Sequence, residues 1–204
     1  GYYVTYLVRT MTSIYWQSID RSIGQPKVKG KLKVMKSADL LIDSLKKGEE
    51  DAFQEIWNRF YLPVQKFIYN TCQDYDLSEE LTQETFFRAF KAIKTFESKT
   101  KFSSWIFGIA RNVLLENLRT QKKHEDNVDI EDSKLSELGK DEKTPANFFL
   151  DKEIYEKVEK ALLKIPQEQR MIFSLRVLQD KSYQEIADIT GHSLSKVKVD
   201  IFRT

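Results

Sequence analysis

Apolar residues recur along most of the chain at i, i+3, i+4 and i+7, the period of a helix with one face turned to a core. From Ser37, the expected cap, Leu40, Leu41 and Leu45 fall on one side, and Gly48 stands where such a helix stops. Residues 49–72 continue the rhythm with Phe53, Ile56, Trp57, Phe60, Phe67 and Ile68, and Pro63 is expected to kink or restart that helix. A third helix is expected from DLSEELTQETFFRAFKAI, with Asp76 and Glu79 at capping-box spacing. A fourth contains FSSWIFGIARNVLLENLR, residues 102–119, and runs to about Lys123. The period then breaks. HEDNVDIEDSKLSELGKDEKTP is acidic and poor in apolar residues, which predicts a flexible linker over 124–145. Helical rhythm resumes at Asn147, Pro166 opens a further helix, and a polar Asp180-Lys181 turn leads into SYQEIADITGHSLSKVKVDIFRT. The pattern predicts an all-α protein of two small helical domains, over 37–123 and 146–204.

Composition agrees with that picture. Seven glycines and four prolines in 204 residues leave long runs of good helix formers. The one cysteine, Cys72, has no second thiol for a disulfide or a structural zinc site and reads as a small apolar side chain in a reducing compartment. No run of about 18 apolar residues is present, so the expected location is cytoplasmic. Residues 1–36 carry seven Lys and Arg against one acid without clear period. They stand open between an extraneous extension, a disordered basic arm and an arm that packs on a partner.

Net charge is only +2, but the charges are segregated. Residues 88–123 hold nine Lys and Arg against two acids, and residues 124–142 hold two Lys against eight acids. The first block suits phosphates; the second repels them.

Three constellations carry candidate chemistry. Ala187, Gly191 and Val197 have the spacing of a helix-turn-helix, with a small residue at the helix contact, a glycine free for positive φ in the turn and an apolar anchor. The second helix of such a unit enters the major groove, which makes Ser193, Ser195, Lys196, Lys198 and Arg203 candidate duplex contacts. An ordinary helical hairpin can share this spacing. On the fourth helix Trp105, Asn112 and Arg119 are seven apart and share a face beside Lys101, an aromatic, an amide and a guanidinium suited to an unpaired base and its phosphate. A basic face over a buried Trp would read the same way. Asp74, Asp76, Glu79, Glu80 and Glu84 form an acidic face that fits a basic protein surface or water, and repels DNA.

Together these segments resemble one family, the bacterial sigma factors of the extracytoplasmic-function group, which direct RNA polymerase to promoters. The resemblance covers about residues 38–204. EELTQETFFRAF is similar to the family's core-polymerase-binding motif, FSSWIFGIARNVLLENLR to its promoter-melting and −10-reading helix, and IPQEQRMIFSLRVLQDKSYQEIADITG to its −35-binding domain. The resemblance implies a polymerase contact through Glu80, Gln83, Glu84 and Phe87. It assigns the −10 element to Phe96, Lys101, Phe102 and Ser103 in and beside the loop that receives a flipped base, with Trp105, Arg111, Asn112 and Arg119 along the helix. It gives the −35 element to the second helix of the helix-turn-helix. Core RNA polymerase, promoter DNA and an anti-sigma factor, often at the membrane, are the implied partners; no metal, organic cofactor or small-molecule substrate is implied.

Departures from the family pattern fall in the second domain. Asp200 stands where Arg is common, His192 where an apolar residue supports the turn, and no basic tail follows Thr204. Each predicts weaker −35 binding. Enzyme chemistry finds little support: His124 and His192 lack a nucleophile at motif spacing, and GQPKVKGKL has five residues between Gly24 and Gly30 and Leu32 in place of Ser or Thr. Two rivals remain, a dimeric helix-turn-helix repressor and an adaptor to polymerase or anti-sigma with weakened promoter binding.

Overall fold

A computed structural model describes residues 41–97, 99–126 and 162–203. The expectations for residues 1–40, for residues 127–145 of the linker and for the helical rhythm from Asn147 to Ala161 lie outside those residues, whereas residues 124–126, expected to open the linker, continue the fourth helix. Among the described residues every regular element is helical.

Helix α1 (Ile42–Lys47) ends at Gly48, whose φ of 80° is the left-handed conformation that glycine adopts without a Cβ penalty. Helix α2 spans Glu50–Cys72 without a break at Pro63. The expected kink does not interrupt it, because Phe60, Val64, Phe67 and Ile68 on both sides of the proline are buried in one core. Tertiary packing there outweighs the backbone hydrogen bond the ring removes. Helix α3 (Tyr75–Ala92) is capped by Asp74, whose carboxylate accepts from the Leu77 amide at 2.9 Å, so the helix starts ahead of the expected Asp76–Glu79 box. A short 3₁₀ turn (Ile93–Thr95) and a loop lead to α4 (Phe102–Asp126).

These helices close around an aromatic core. Phe53 stacks on Phe90 at 3.7 Å, Trp57 on Tyr61 at 4.7 Å, and Phe67 meets Phe107 edge-on at 5.4 Å between ring centroids. Such pairs add about 0.5–1.5 kcal/mol each to what their area supplies.

In the C-terminal group Pro166 caps α5 (Gln167–Phe173), which widens into a π-helical segment over Ser174–Leu178. Helix α6 (Tyr183–Thr190) opens with a complete capping box, Ser182 and Glu185 each bonding the other's backbone amide. Gly191, at φ 70°, turns the chain into α7 (Leu194–Arg203). Ala187 and Val197 are buried where the two helices meet. The helix-turn-helix is therefore formed as the spacing predicts. The apolar cluster does not stop at the edge of the first helices: Met171, Ile172, Leu175 and Ile186 are continuous with it, and α5 and α6 pack on α2 and α4.

Candidate nucleic-acid interface

The acidic face runs along α3. Glu80, Gln83, Glu84 and Phe87 line an open cleft of about 480 Å³ whose far wall is α4, through Val113 and Glu116. Glu84 is not a bare charge: Arg88 Nε donates to it at 2.7 Å and Arg88 Nη1 to Glu116 at 2.6 Å, which ties α3 to α4. Those hydrogen bonds, Glu84's first, hold the Arg88 guanidinium above its ordinary range. Lys91 Nζ lies 5.8 Å from the Phe87 ring centre. The cleft brings the four expected polymerase-contact residues together, with an apolar floor and a charged rim.

The residues expected at the −10 element separate into two sets. Phe96 and Phe102 are buried, 5.8 Å apart between centroids, and Trp105 leans on both at 5.0 and 5.5 Å. Their rings build the floor of the loop. Ser103 and Trp105 are half-buried, and Asn112 and Arg119 are exposed farther along α4. Asn112 Oδ1 accepts from Arg111 Nη1 at 3.3 Å. Arg111 itself is desolvated, which together with neighbouring Arg119 lowers its pKa while Glu168 opposes the shift. Exposed Lys101 is paired with Glu185 at 3.2 Å.

At the start of α7, Ser193 just ahead of the helix and Ser195 within it share a hydrogen bond at 3.1 Å, and Ser193 Oγ also accepts from the Lys196 amide. Lys198 and Arg203 are exposed. Lys196 is engaged by Asp200 at 2.8 Å and by Glu168 at 3.4 Å, and the Asp200 bond chiefly raises its pKa. Asp200 is buried at 8% exposure, so its carboxylate faces Lys196 instead of standing open to phosphate. It subtracts a cation from the helix, a different route to the expected loss of −35 affinity. His192 Nε2 lies 2.9 Å from the same Glu168.

Sequence reasoning missed Arg88, Glu116, Glu168 and Glu185. Arg88 had a legible signal, the Glu84–Arg88 i, i+4 spacing. Glu168 had none, since its partner Lys196 lies 28 residues away, and Glu185 was legible as the capping-box partner of Ser182 but not as that of Lys101, 84 residues away. Cys72 is half-buried, and its desolvation pushes the thiol up to about 11, away from reactivity at neutral pH. Among the described residues no cluster of metal-ligating side chains occurs, and no helix is long and apolar enough to cross a membrane.

Two family models match in order along the chain: sigma-70 region 2 over residues 56–124 and sigma-70 region 4 over residues 155–204. Together they cover more than half of it. The ECF RNA polymerase sigma factor SigW of Bacillus subtilis is 27% identical over 168 residues, covering 79% of this chain and 89% of that protein. The ECF RNA polymerase sigma-E factor of Escherichia coli is 27% identical over 169 residues, covering 80% and 88%. Among solved structures, the sigma factor RpoE of Bartonella quintana, determined in complex with the anti-sigma factor NepR, aligns with a TM-score of 0.59 at 25% identity over 76% of this chain and 91% of that one.

Proposed function

Because the chain belongs to the sigma-70 family, in its extracytoplasmic-function group, we propose a residue-level division of labour for a factor that binds core RNA polymerase, selects promoters and opens them at initiation. The observation that carries this reading is the order of the two matched regions, with the acidic cleft of α3 and the basic row of α4 built on one bundle. Residues 37–123 form the body that grips polymerase and reads the −10 element, 124–145 the tether, and 146–204 the body for the −35 element.

Glu80, Gln83, Glu84 and Phe87 present acid over an apolar floor to a basic helical surface of the polymerase. Phe96, Phe102 and Ser103 shape the loop, Trp105 offers a ring edge to an extruded base, and Asn112 and Arg119 hold the strand by hydrogen bonds and charge. Ser193, Ser195, Lys196, Lys198 and Arg203 line the groove-entering helix. The polymerase supplies the catalytic chemistry, and the chain itself supplies address and strand opening. An anti-sigma protein is the expected restraining partner, the class of partner with which the Bartonella relative was solved, and the factor works in the cytoplasm.

Run-off transcription with purified core polymerase on genomic fragments tests this reading. Start sites that appear only with the chain present, sharing two upstream elements, are the expected result. Tight duplex binding without core, and no new start site, would instead favour the dimeric repressor.

A further inference from the structure

Helix α7 sorts its side chains by face. Val197 and Asp200 are buried and Ile201 is half-buried, so one side of the helix meets the need for packing. Away from them Ser195, Lys198, Val199 and Phe202 stand at i, i+3, i+4 and i+7 and share the outward face. Homeodomain recognition helices lie along a major groove with the same spacing. Ser195, Val199 and Phe202 form the middle row of this face, with Lys198 on one flank and Lys196 and Arg203 on the other. Val199 is 44% exposed and Phe202 93%.

Single exposed apolar residues are ordinary, but these two adjoin on the surface that a helix-turn-helix presents to DNA. The charges around them favour a polyanion over a protein surface, since the one acid of α7, Asp200, is buried and bonded to Lys196. At a rise of about 1.5 Å per residue the row from Ser195 to Phe202 is about 10 Å long, or about three base pairs of B-DNA. The flanking cations then face the phosphate rims of the groove, and the row faces the base edges. Valine and phenylalanine side chains carry no donor or acceptor, so they cannot tell bases apart by hydrogen bonding. Thymine is the base that offers an apolar group in the major groove, its C5-methyl.

Resting on the proposed sigma-factor reading, we propose that Val199 is a specificity-determining residue for the −35 element: its methyl groups, continued by the Phe202 ring, pack on the C5-methyl of one or two adjacent thymines. Ser195 at the head of the row accommodates more than one base, and the flanking cations supply affinity that carries no sequence information. Phosphate contacts release counterions and weaken as salt rises. A methyl contact releases none, so the preference for thymine persists when total affinity falls.

Deoxyuridine tests this, because it pairs with adenine as thymidine does and lacks only the methyl. On a promoter mapped by run-off, each thymine pair of the upstream element is replaced in turn, and binding by holoenzyme is measured in competition. Replacement at one or two adjacent positions should weaken wild-type binding about fourfold per methyl, the equivalent of about 0.8 kcal/mol, and by the same factor at low and high salt. Val199→Ser should lose about fourfold on the thymine promoter and bind the thymine and uracil promoters alike. Leu194→Ser removes apolar surface that is 38% exposed on another side of α7 and should keep the wild-type ratio. Uracil tolerated at every position, or a thymine-to-uracil ratio unchanged in Val199→Ser, overturns the proposal. An equal loss by Val199→Ser on both promoters also overturns it and makes the row a protein contact. Run-off by wild type separates the two layers. A chain that starts no transcript loses the sigma-factor reading, and the same uracil scan on the duplex that the free chain selects from a random pool then decides the role of Val199. Selection of no duplex overturns the proposal as well.

Discussion

The helices before residue 127 and those after 161 solve the same problem with different means. The first group uses two helices of 23 and 25 residues and a core in which Trp57, Phe67, Phe86, Phe102 and Phe107 are almost wholly buried. The second uses helices of seven to ten residues, of which α6 carries a complete capping box. Isolated helices that short are marginal in water. Every large apolar side chain left exposed among the described residues belongs to the second group, including Val177, Val199 and Phe202. The first group is a finished body that works through its surface, whereas the second completes its burial on α2 and α4.

That contrast can be broken most severely at Trp57, which packs on Tyr61 and Phe86 at 4.7 and 4.8 Å. Trp57→Ala should cost about 3–5 kcal/mol by urea denaturation and destabilise both groups, because they share one apolar cluster. Loss confined to the first group would separate the cores. Glu84→Lys comes next: it reverses the charge at the cleft and breaks the Arg88 bridge, so a pull-down should show core polymerase affinity falling by at least about tenfold, about 1.4 kcal/mol, with helix content retained. Ser182→Ala removes one half of the capping box and should cost about 1 kcal/mol, read as earlier loss of amide protection in α6 than in α2. Smallest of the four, Asp200→Asn removes the formal charge beside Lys196 and should tighten −35 duplex binding by holoenzyme about twofold to fivefold. No change there would mean that Asp200 does not restrain the helix.

What could be read from the sequence was local. Helix existence followed from period, Gly48 and Gly191 marked stops that positive φ requires, and Ala187 and Val197 gave the helix-turn-helix. At Pro63 the helix does not restart, because intrinsic propensity alone cannot weigh a proline against the buried side chains around it. Asp74 was overlooked as a cap because two acids stand within three residues, and only the backbone shows which one faces the Leu77 amide. Residue type also could not say that Phe96 and Phe102 would be floor while Asn112 and Arg119 would be surface. Asn112 and Arg119 are consequently cleaner probes of strand holding than Trp105, whose truncation would also remove packing against Phe96 and Phe102. The carboxylates Glu185 and Glu168 that pair with Lys101 and Lys196 belong to long-range pairs, which no periodicity encodes.

The central claim is that one polypeptide grips polymerase with the acidic cleft of α3 and holds melted strand with the α4 face beside it. Permanganate reactivity of unpaired thymines tests it directly on a promoter mapped by run-off. Core with wild type should expose reactive thymines around the −10 element, core with Asn112→Ala/Arg119→Ala should expose far fewer while still binding the chain, and core alone should expose none. Equal reactivity with the wild-type and double-variant chains, or none with either, would contradict the account.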